Sequence, residues 1–299
     1  MSKKEPSYYG AFFWVAAVSF VVPLFVAARG FYELPVASKP TPRPDASGVD
    51  HALWDYLLKT YTDHGQVDYD GLSRDYLFPT YLRQLAEADP TRLSTAADNL
   101  ALLCNAYNAM VIDGVITHKI HDSVMNYHFD GQEFFDIPEH IFAGRTVSLN
   151  HLEHEEIRKR FREPRIHVAL VCAAKSCPPL RAEAYVGRRL ASQLEDQSRL
   201  FANRQQFVHL DVDSDSLQLS PLLQWYGDDW QDLGGYLPWL AGLVNDKSLK
   251  NALQRATRDE IKISWSDYDW TLNAQENSAT GAAVHKKSGG FGSGSVPNE

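Results

Sequence analysis

Residues 151–181, HLEHEEIRKRFREPRIHVALVCAAKSCPPLR, decide how the rest of this chain is read. His151, Glu153, His154, Glu155, His167, Cys172 and Cys177 surround one short apolar run, so acids, bases and thiols converge on a segment that should be buried. Ser148 or Asn150 is placed to cap a helix carrying Glu153, Glu155 and Glu156 early and Arg158, Lys159 and Arg160 late, the order a helix dipole favours. Pro164 ends that helix. Residues 166–172 are continuous, apolar and β-branched over only seven positions, which predicts a strand buried on both faces. A turn over 173–176 follows. Cys177, just before Pro178 and Pro179, is expected at the N-terminus of the next helix, where unpaired N–H groups lower a thiol's pKa.

These residue types suit nucleophilic catalysis by a thiol. Cys177 is the candidate nucleophile, His167 or His154 the base, and Glu153 or Asn105 the residue that orients it. The competing reading is structural, because cysteine is among the most buried residue types and a Cys-Pro pair also shapes a turn. Cys172 is read as a core residue. A disulfide between Cys172 and Cys177 would remove the nucleophile. His151 and His154 lie one helical turn apart beside Glu155, but such spacing is common on solvated faces and HExxH is absent, so no metal is expected. No glycine-rich phosphate loop, paired CxxC or haem-attachment motif occurs either. No cofactor is therefore expected, and oxidoreductases and nucleotide-driven enzymes drop from the leading candidates.

Three pieces of the chain resemble the DUF547 family, a bacterial and plant domain of unestablished function. They are NAYNAMVI at 105–112, the paired segments SLNHLEHEEIR at 148–158 and RIHVALVCAAKSCPPLR at 165–181, and YDWTLN at 268–273. Their order places the resemblance over residues of about 50 to 274, with Asn105, Asn108, Glu153, His154, His167 and Cys177 at the family's positions. Some members resemble papain-like or transglutaminase-like thiol enzymes. The order here is Asn, then Glu-His, then Cys, whereas those enzymes run Cys, His, Asn, so roles are not carried across.

The chain has 29 basic and 38 acidic residues among 299, a net charge of −9. Five basic and three acidic residues precede position 49, which leaves −11 for the rest and makes nucleic acid or anionic lipid a poor surface partner. Lys3 and Lys4 precede an uncharged stretch at 11–28, AFFWVAAVSFVVPLFVAA, whose length suits a single membrane span. The lysines place the N-terminus in the cytoplasm and the body outside the inner (cytoplasmic) membrane, in the periplasm. A cleaved signal peptide is the alternative, disfavoured by the length of the run and the lack of a small-x-small site.

The expected domains are 1–32, a cytoplasmic N-terminus and transmembrane helix; 33–48, a proline-rich linker; 49–274, the extracytoplasmic DUF547-like domain; and 275–299, a Gly/Ser-rich tail. Within the domain, residues 98–117 give the strongest helix. Residues 207–220 alternate around a DSDS turn and predict a hairpin, and 261–273 is expected as a last strand beside 166–172. Phe134, Phe135, Ile137 and Phe142 are candidates for a lid over the central site. The fold class is α+β: a mostly helical domain around a small, largely antiparallel sheet, with one N-terminal transmembrane helix.

Two functions follow. One is a membrane-anchored accessory subunit that packs its domain surface and its 275–299 tail against other membrane protein subunits, for example of a photosynthetic or respiratory assembly. The other is an envelope thiol hydrolase or acyltransferase acting on peptide or amide bonds.

Overall fold

The computed structural model describes residue 41 and residues 43–276. The expected anchor at 11–28, the N-terminal segment around it and the tail from 277 onward lie outside the described residues.

The domain is built around helix α4 (Ala96–Thr117). Thr95 caps it by accepting from the Asp98 N–H, and every residue from 100 to 112 is buried. A helix apolar on all sides must be covered on all sides, and this one is. By length and composition it is the one candidate membrane span among the described residues, but most of its apolar window is buried inside the domain, so it serves as a core helix. Helices α1 (His51–Tyr61), α2 (Tyr69–Arg74) and α3 (Leu77–Ala86) pack around it with Trp54, Tyr69 and Tyr81 fully buried.

Three two-stranded antiparallel ladders decorate this half: β1 (Thr62–Asp63) with β2 (Gln66–Val67), β3 (His128–Phe129) with β4 (Gln132–Glu133), and β5 (His140–Phe142) with β6 (Arg145–Val147). Helix α5 follows in three continuous parts, Leu149–His151, Leu152–Arg158 and Lys159–Phe161, of which the middle one is π-helical. Ser148 caps it through the His151 N–H and Arg162, at φ 47°, ends it before Pro164.

The second half comprises helix α6 (Leu190–Ala202), a three-stranded sheet, and helices α7 (Tyr236–Leu243) and α8 (Lys247–Ala256). In the sheet, β7 (Val208–Asp211) pairs antiparallel with β8 (Ser216–Leu219), the hairpin read from the sequence, and β8 pairs parallel with β9 (Lys262–Trp265). Two apolar cores result, one around α4 and one between the sheet, α7 and α8. The architecture is α+β, mostly helical with small, largely antiparallel sheets.

Residues 166–172 are not a strand. Pro164–Val168 forms a 3₁₀ helix with proline at its start and Glu163 as its cap, and the N–H groups of Ala169 and Leu170 both reach the Ile166 carbonyl at 2.8 Å. The run is buried as expected, but buried backbone needs hydrogen bonds rather than a ladder in particular. The amide of Asn108 supplies them, donating to the Ala169 carbonyl and accepting from the Val171 N–H, each at 3.0 Å. The last strand therefore lies elsewhere, beside β8. Farther along, residues 268–273 meet this region without a ladder, through one isolated antiparallel bridge of Leu272 to Ala174 and backbone bonds to residues 173–176.

Two further expectations are corrected. Cys177 does not open a helix: residues 177–186 are non-helical, and α6 begins only at Leu190. Nor do the apolar residues of 134–142 form a lid together. Phe134, Ile137 and Phe142 are buried in the domain, with the Phe134 ring so close to Gly114 that a Cβ there would lie 2.8 Å from it, and of the four only half-buried Phe135 lines the cleft.

Candidate functional site

Where the two cores meet, the surface opens into a cleft of about 930 Å³. Its walls come from α4 (Tyr107), the π-helical stretch of α5 (Glu153, His154, Arg158), the loop from His167 to Cys177, the segment Trp225–Asp229, and the terminal loop with Tyr268 and Trp270.

The π-stretch explains how α5 serves the site. With i→i+5 bonding, as in the Lys159 N–H to the His154 carbonyl, residues five apart share a face. Leu152 and Ile157 are both fully buried against the core, and Glu153 and Arg158 both line the cleft. Glu153 is 6% exposed and lies close enough to Tyr107 and Tyr226 to act on both phenols. Burial, reinforced by that carboxylate, pushes both phenols up, so they stay protonated donors.

Behind this wall runs a charged chain. Arg158 donates to both carboxylate oxygens of Asp229, at 2.8 and 3.0 Å, and also to His154 Nδ1 at 2.8 Å. His167 Nε2 lies 2.6 Å from Asp229 Oδ2, and its ring stacks on Tyr226 at 3.9 Å. Burial lowers the His167 pKa in spite of Asp229, so the imidazole is neutral and donates from Nε2. Burial alone would raise the Asp229 carboxyl, but its bonds to His167 and Arg158 hold it well below the ordinary range. Because Arg158 occupies His154 Nδ1 as a donor, neutral His154 carries its proton on Nε2.

The thiols complete the site, in a different order from the one expected. Cys177 is 6% exposed, and its sulfur accepts the Cys172 N–H at 3.0 Å. Burial and the neighbouring Cys172 push its pKa well up, the reverse of the helix-terminus expectation, because no helix starts there. Cys172 is half-buried, lines the cleft, and has its sulfur 3.1 Å from the Tyr268 hydroxyl. Burial would raise its pKa too, but hydrogen bonds from Cys177, Tyr268 and the Ala174 backbone outweigh it and lower the thiol below its ordinary value. Tyr268, pushed well up by burial, keeps its proton to donate. All three cysteines are free; Cys104, fully buried in α4, is pushed up to about 12.

Of the five residues singled out from the sequence, Cys177, His167, His154 and Glu153 meet in this cleft. Asn105 does not. It is buried in α4, where its side chain donates to the Tyr185 carbonyl at 2.8 Å and accepts the Tyr185 N–H at 2.9 Å. Asn108, one turn away, is the asparagine that holds the thiol-bearing loop. His151 faces Glu156, and Glu155 pairs with Lys159, so the weak metal arrangement does not assemble. Among the described residues no group of three His, Cys, Asp or Glu side chains is placed to hold a metal ion.

Cys172, Tyr268, Arg158, Asp229 and Tyr226 were missed. Tyr268 stands in the quoted YDWTLN piece and was the one signal at hand; Asp229 and Tyr226, in WYGDDW, carried none.

Residues 90–202 match the family model described as Protein of unknown function, DUF547, which supports a DUF547 domain there. The match contains the pieces at 105–112 and 148–181 and stops short of the one at 268–273. No curated protein and no solved structure matches the chain.

Proposed function

We propose that this domain is a thiol hydrolase or acyltransferase acting on amide or peptide bonds, with Cys172 rather than Cys177 as the nucleophile. The observation that carries the reading is the Cys172 sulfur facing a cleft of substrate size while hydrogen-bonded to Tyr268. A thiolate needs donors around it to be stable near neutral pH, and Tyr268 is such a donor.

The chemistry needs few parts. Thiolate at Cys172 attacks the substrate carbonyl, the acyl group passes to sulfur as a thioester, and the departing amine takes its proton from water, the hydroxide left behind being used when the thioester is hydrolysed. His154, lining the cleft with its N–H on Nε2, is placed to hold the carbonyl oxygen or the water by a hydrogen bond rather than to give up that proton. Water or another amine then attacks the thioester and returns the thiolate. His167 is no base for sulfur: it is committed to Asp229 and stacked on Tyr226, and with Arg158 it holds the wall that carries His154.

The anchored-subunit reading rests on residues 11–28 and 275–299, which provide a span and a tail by sequence alone. Among the described residues, the exposed large apolar side chains Tyr76, Phe129, Ile141, Val212 and Leu233 come from five separate segments and give no single element an apolar face for a partner. The cleft therefore favours the enzyme reading, and a span at 11–28 would place that enzyme at the outer face of a membrane.

The test is acylation. The reduced chain, treated with p-nitrophenyl acetate at neutral pH, should release nitrophenol in a burst and gain an acetyl group that peptide mapping places on Cys172. The burst should vanish in Cys172→Ala and survive in Cys177→Ala. A burst that persists in Cys172→Ala refutes the assignment.

A further inference from the structure

We propose that Cys172 and Cys177 are a reversible dithiol–disulfide pair, open in this structure, that closes by exchange with a small disulfide of the glutathione type and switches the cleft off. The inference rests on Cys172 being the reactive thiol of the cleft.

Geometry carries it. The Cys177 sulfur lies 3.0 Å from the backbone nitrogen of Cys172, so it sits beside that residue with its own side chain already turned inward. Between the two, residues 173–176 fold back tightly, with Ala173 in the left-handed region at φ 58°. That loop is tied on both sides. The Cys177 N–H bonds the Ala174 carbonyl at 3.1 Å, the Lys175 N–H donates to the Thr271 carbonyl at 2.8 Å, and the Asn273 N–H donates to the Ala173 carbonyl at 3.0 Å. The two sulfurs are thus held as neighbours by structure outside the thiols themselves. Both line the cleft, and their exposures differ in the order that a nucleophilic and a resolving cysteine require: Cys172 is half-buried and Cys177 is 6% exposed. Cys104, fully buried and in α4, takes no part.

The steps balance. The Cys172 thiolate attacks one sulfur of oxidised glutathione, forms a mixed disulfide and releases one glutathione thiolate. Cys177 gives up its proton and attacks the Cys172 sulfur of that mixed disulfide. This forms the internal bond and releases the second glutathione. The protein loses two electrons and two protons, and the small disulfide is reduced to two thiols. The difference in burial sets the order, since an incoming disulfide reaches half-buried Cys172 more readily than Cys177. Once the bond forms, the sulfur that would attack an acyl group is spent.

The full chain is equilibrated with reduced and oxidised glutathione at a series of ratios, quenched with iodoacetamide, and read by intact mass and peptide mapping. The expected result is joint loss of two alkylatable thiols, Cys172 and Cys177, at a single midpoint, with no glutathione left attached. Cys177→Ser should stop at a glutathione adduct on Cys172, and Cys172→Ser should form neither adduct nor internal bond. A wild-type chain that accumulates a stable adduct on Cys172, or keeps both thiols alkylatable at the most oxidising ratio, overturns the proposal. Circular dichroism of both serine variants shows that they are folded, and Cys177→Ala repeats the trapping if serine is not tolerated. Acylation of the reduced chain without disulfide formation refutes the pair alone, and disulfide formation in a chain that never acylates refutes the acyl-transfer reading alone.

Discussion

Replacing Asn108 by alanine removes two hydrogen bonds from the loop that carries Cys172. The side chain is 2% exposed, so neither orphaned group, the Ala169 carbonyl or the Val171 N–H, gains access to water in compensation. A buried backbone group left unpaired costs about 1–3 kcal/mol, so the two together should cost about 2–6 kcal/mol. Asn105→Ala is the control. Asn105 lies in the same helix as Asn108; its loss orphans the carbonyl and N–H of Tyr185 and should cost a similar amount, but it touches the 185 segment and not the loop. Urea unfolding gives the stabilities by linear extrapolation, and the rate of Cys172 alkylation by iodoacetamide reads the loop. Both variants should be destabilised, and only Asn108→Ala should change the alkylation rate. A loss below about 1 kcal/mol in Asn108→Ala, or an alkylation rate disturbed equally by both variants, would refute the argument that this amide substitutes for a strand's ladder.

Tyr268→Phe removes the hydroxyl that donates to Cys172; a hydrogen bond to a charged group is worth about 1.5–3 kcal/mol, so the pH profile of alkylation should move up by about 1–2 units. Acid should destabilise the fold in two stages. His167, depressed by burial, accepts a proton more readily unfolded than folded, so stability falls as pH drops below its ordinary value of about 6.5 towards the depressed one; Asp229, also depressed, adds a further loss below about pH 4. His167→Gln should abolish the first stage of a urea-midpoint profile and only weaken the second, which Arg158 also supports. Gly65→Ala should cost about 2–4 kcal/mol in the same assay, because φ is +88° and the new Cβ would lie 2.6 Å from the Pro179 Cα, backbone that cannot step aside. Glu133, Asp136, Glu155, Asp228 and Asp232 edge the cleft, so among peptide esters of equal reactivity a cationic one should acylate Cys172 faster than an anionic one, with the preference fading as salt rises.

What the sequence disclosed depended on whether the signal was local. Helix α4 was legible because a long uncharged run, apolar but for two asparagines, has one structural solution, and the cap at Ser148, one of two candidates with Asn150, and the hairpin of β7 and β8 were legible because caps and turns are written in adjacent residues. The run 166–172 was misread because burial is visible in composition while the partner of a buried backbone group is not. That partner, Asn108, lies more than fifty residues upstream. Cys177 was misread for the same reason: its neighbouring prolines are compatible with a helix start, and what forbids one is again distant. Choosing between the two thiols required knowing that Tyr268 returns to the cleft from the far end of the domain, and spacing cannot say this.

One physical device accounts for both errors. Four buried amides, Asn105, Asn108, Gln193 and Gln197, bind the backbone of residues 168–186 where a sheet or helix would otherwise have done so. Asn108 takes Ala169 and Val171; Gln197 donates to the carbonyls of Val168 and Pro179 at 3.3 and 3.0 Å; Gln193 donates to the Ala184 carbonyl and accepts the Val186 N–H; Asn105 takes both groups of Tyr185. An irregular chain can be buried only if each of its polar groups is met in this way, and an irregular chain is what brings two thiols side by side. A strand through 166–172 would point successive side chains to opposite faces and would set Cys172 by register alone. The amide frame makes a local prediction for hydrogen exchange. The N–H of Val171 should exchange as slowly as the α4 core in the wild type and accelerate selectively in Asn108→Ala, while that of Tyr185 accelerates selectively in Asn105→Ala. Fast exchange of Val171 in the wild-type protein would mean that the loop is not held as described, and Cys172 would then lose its fixed place beside Tyr268.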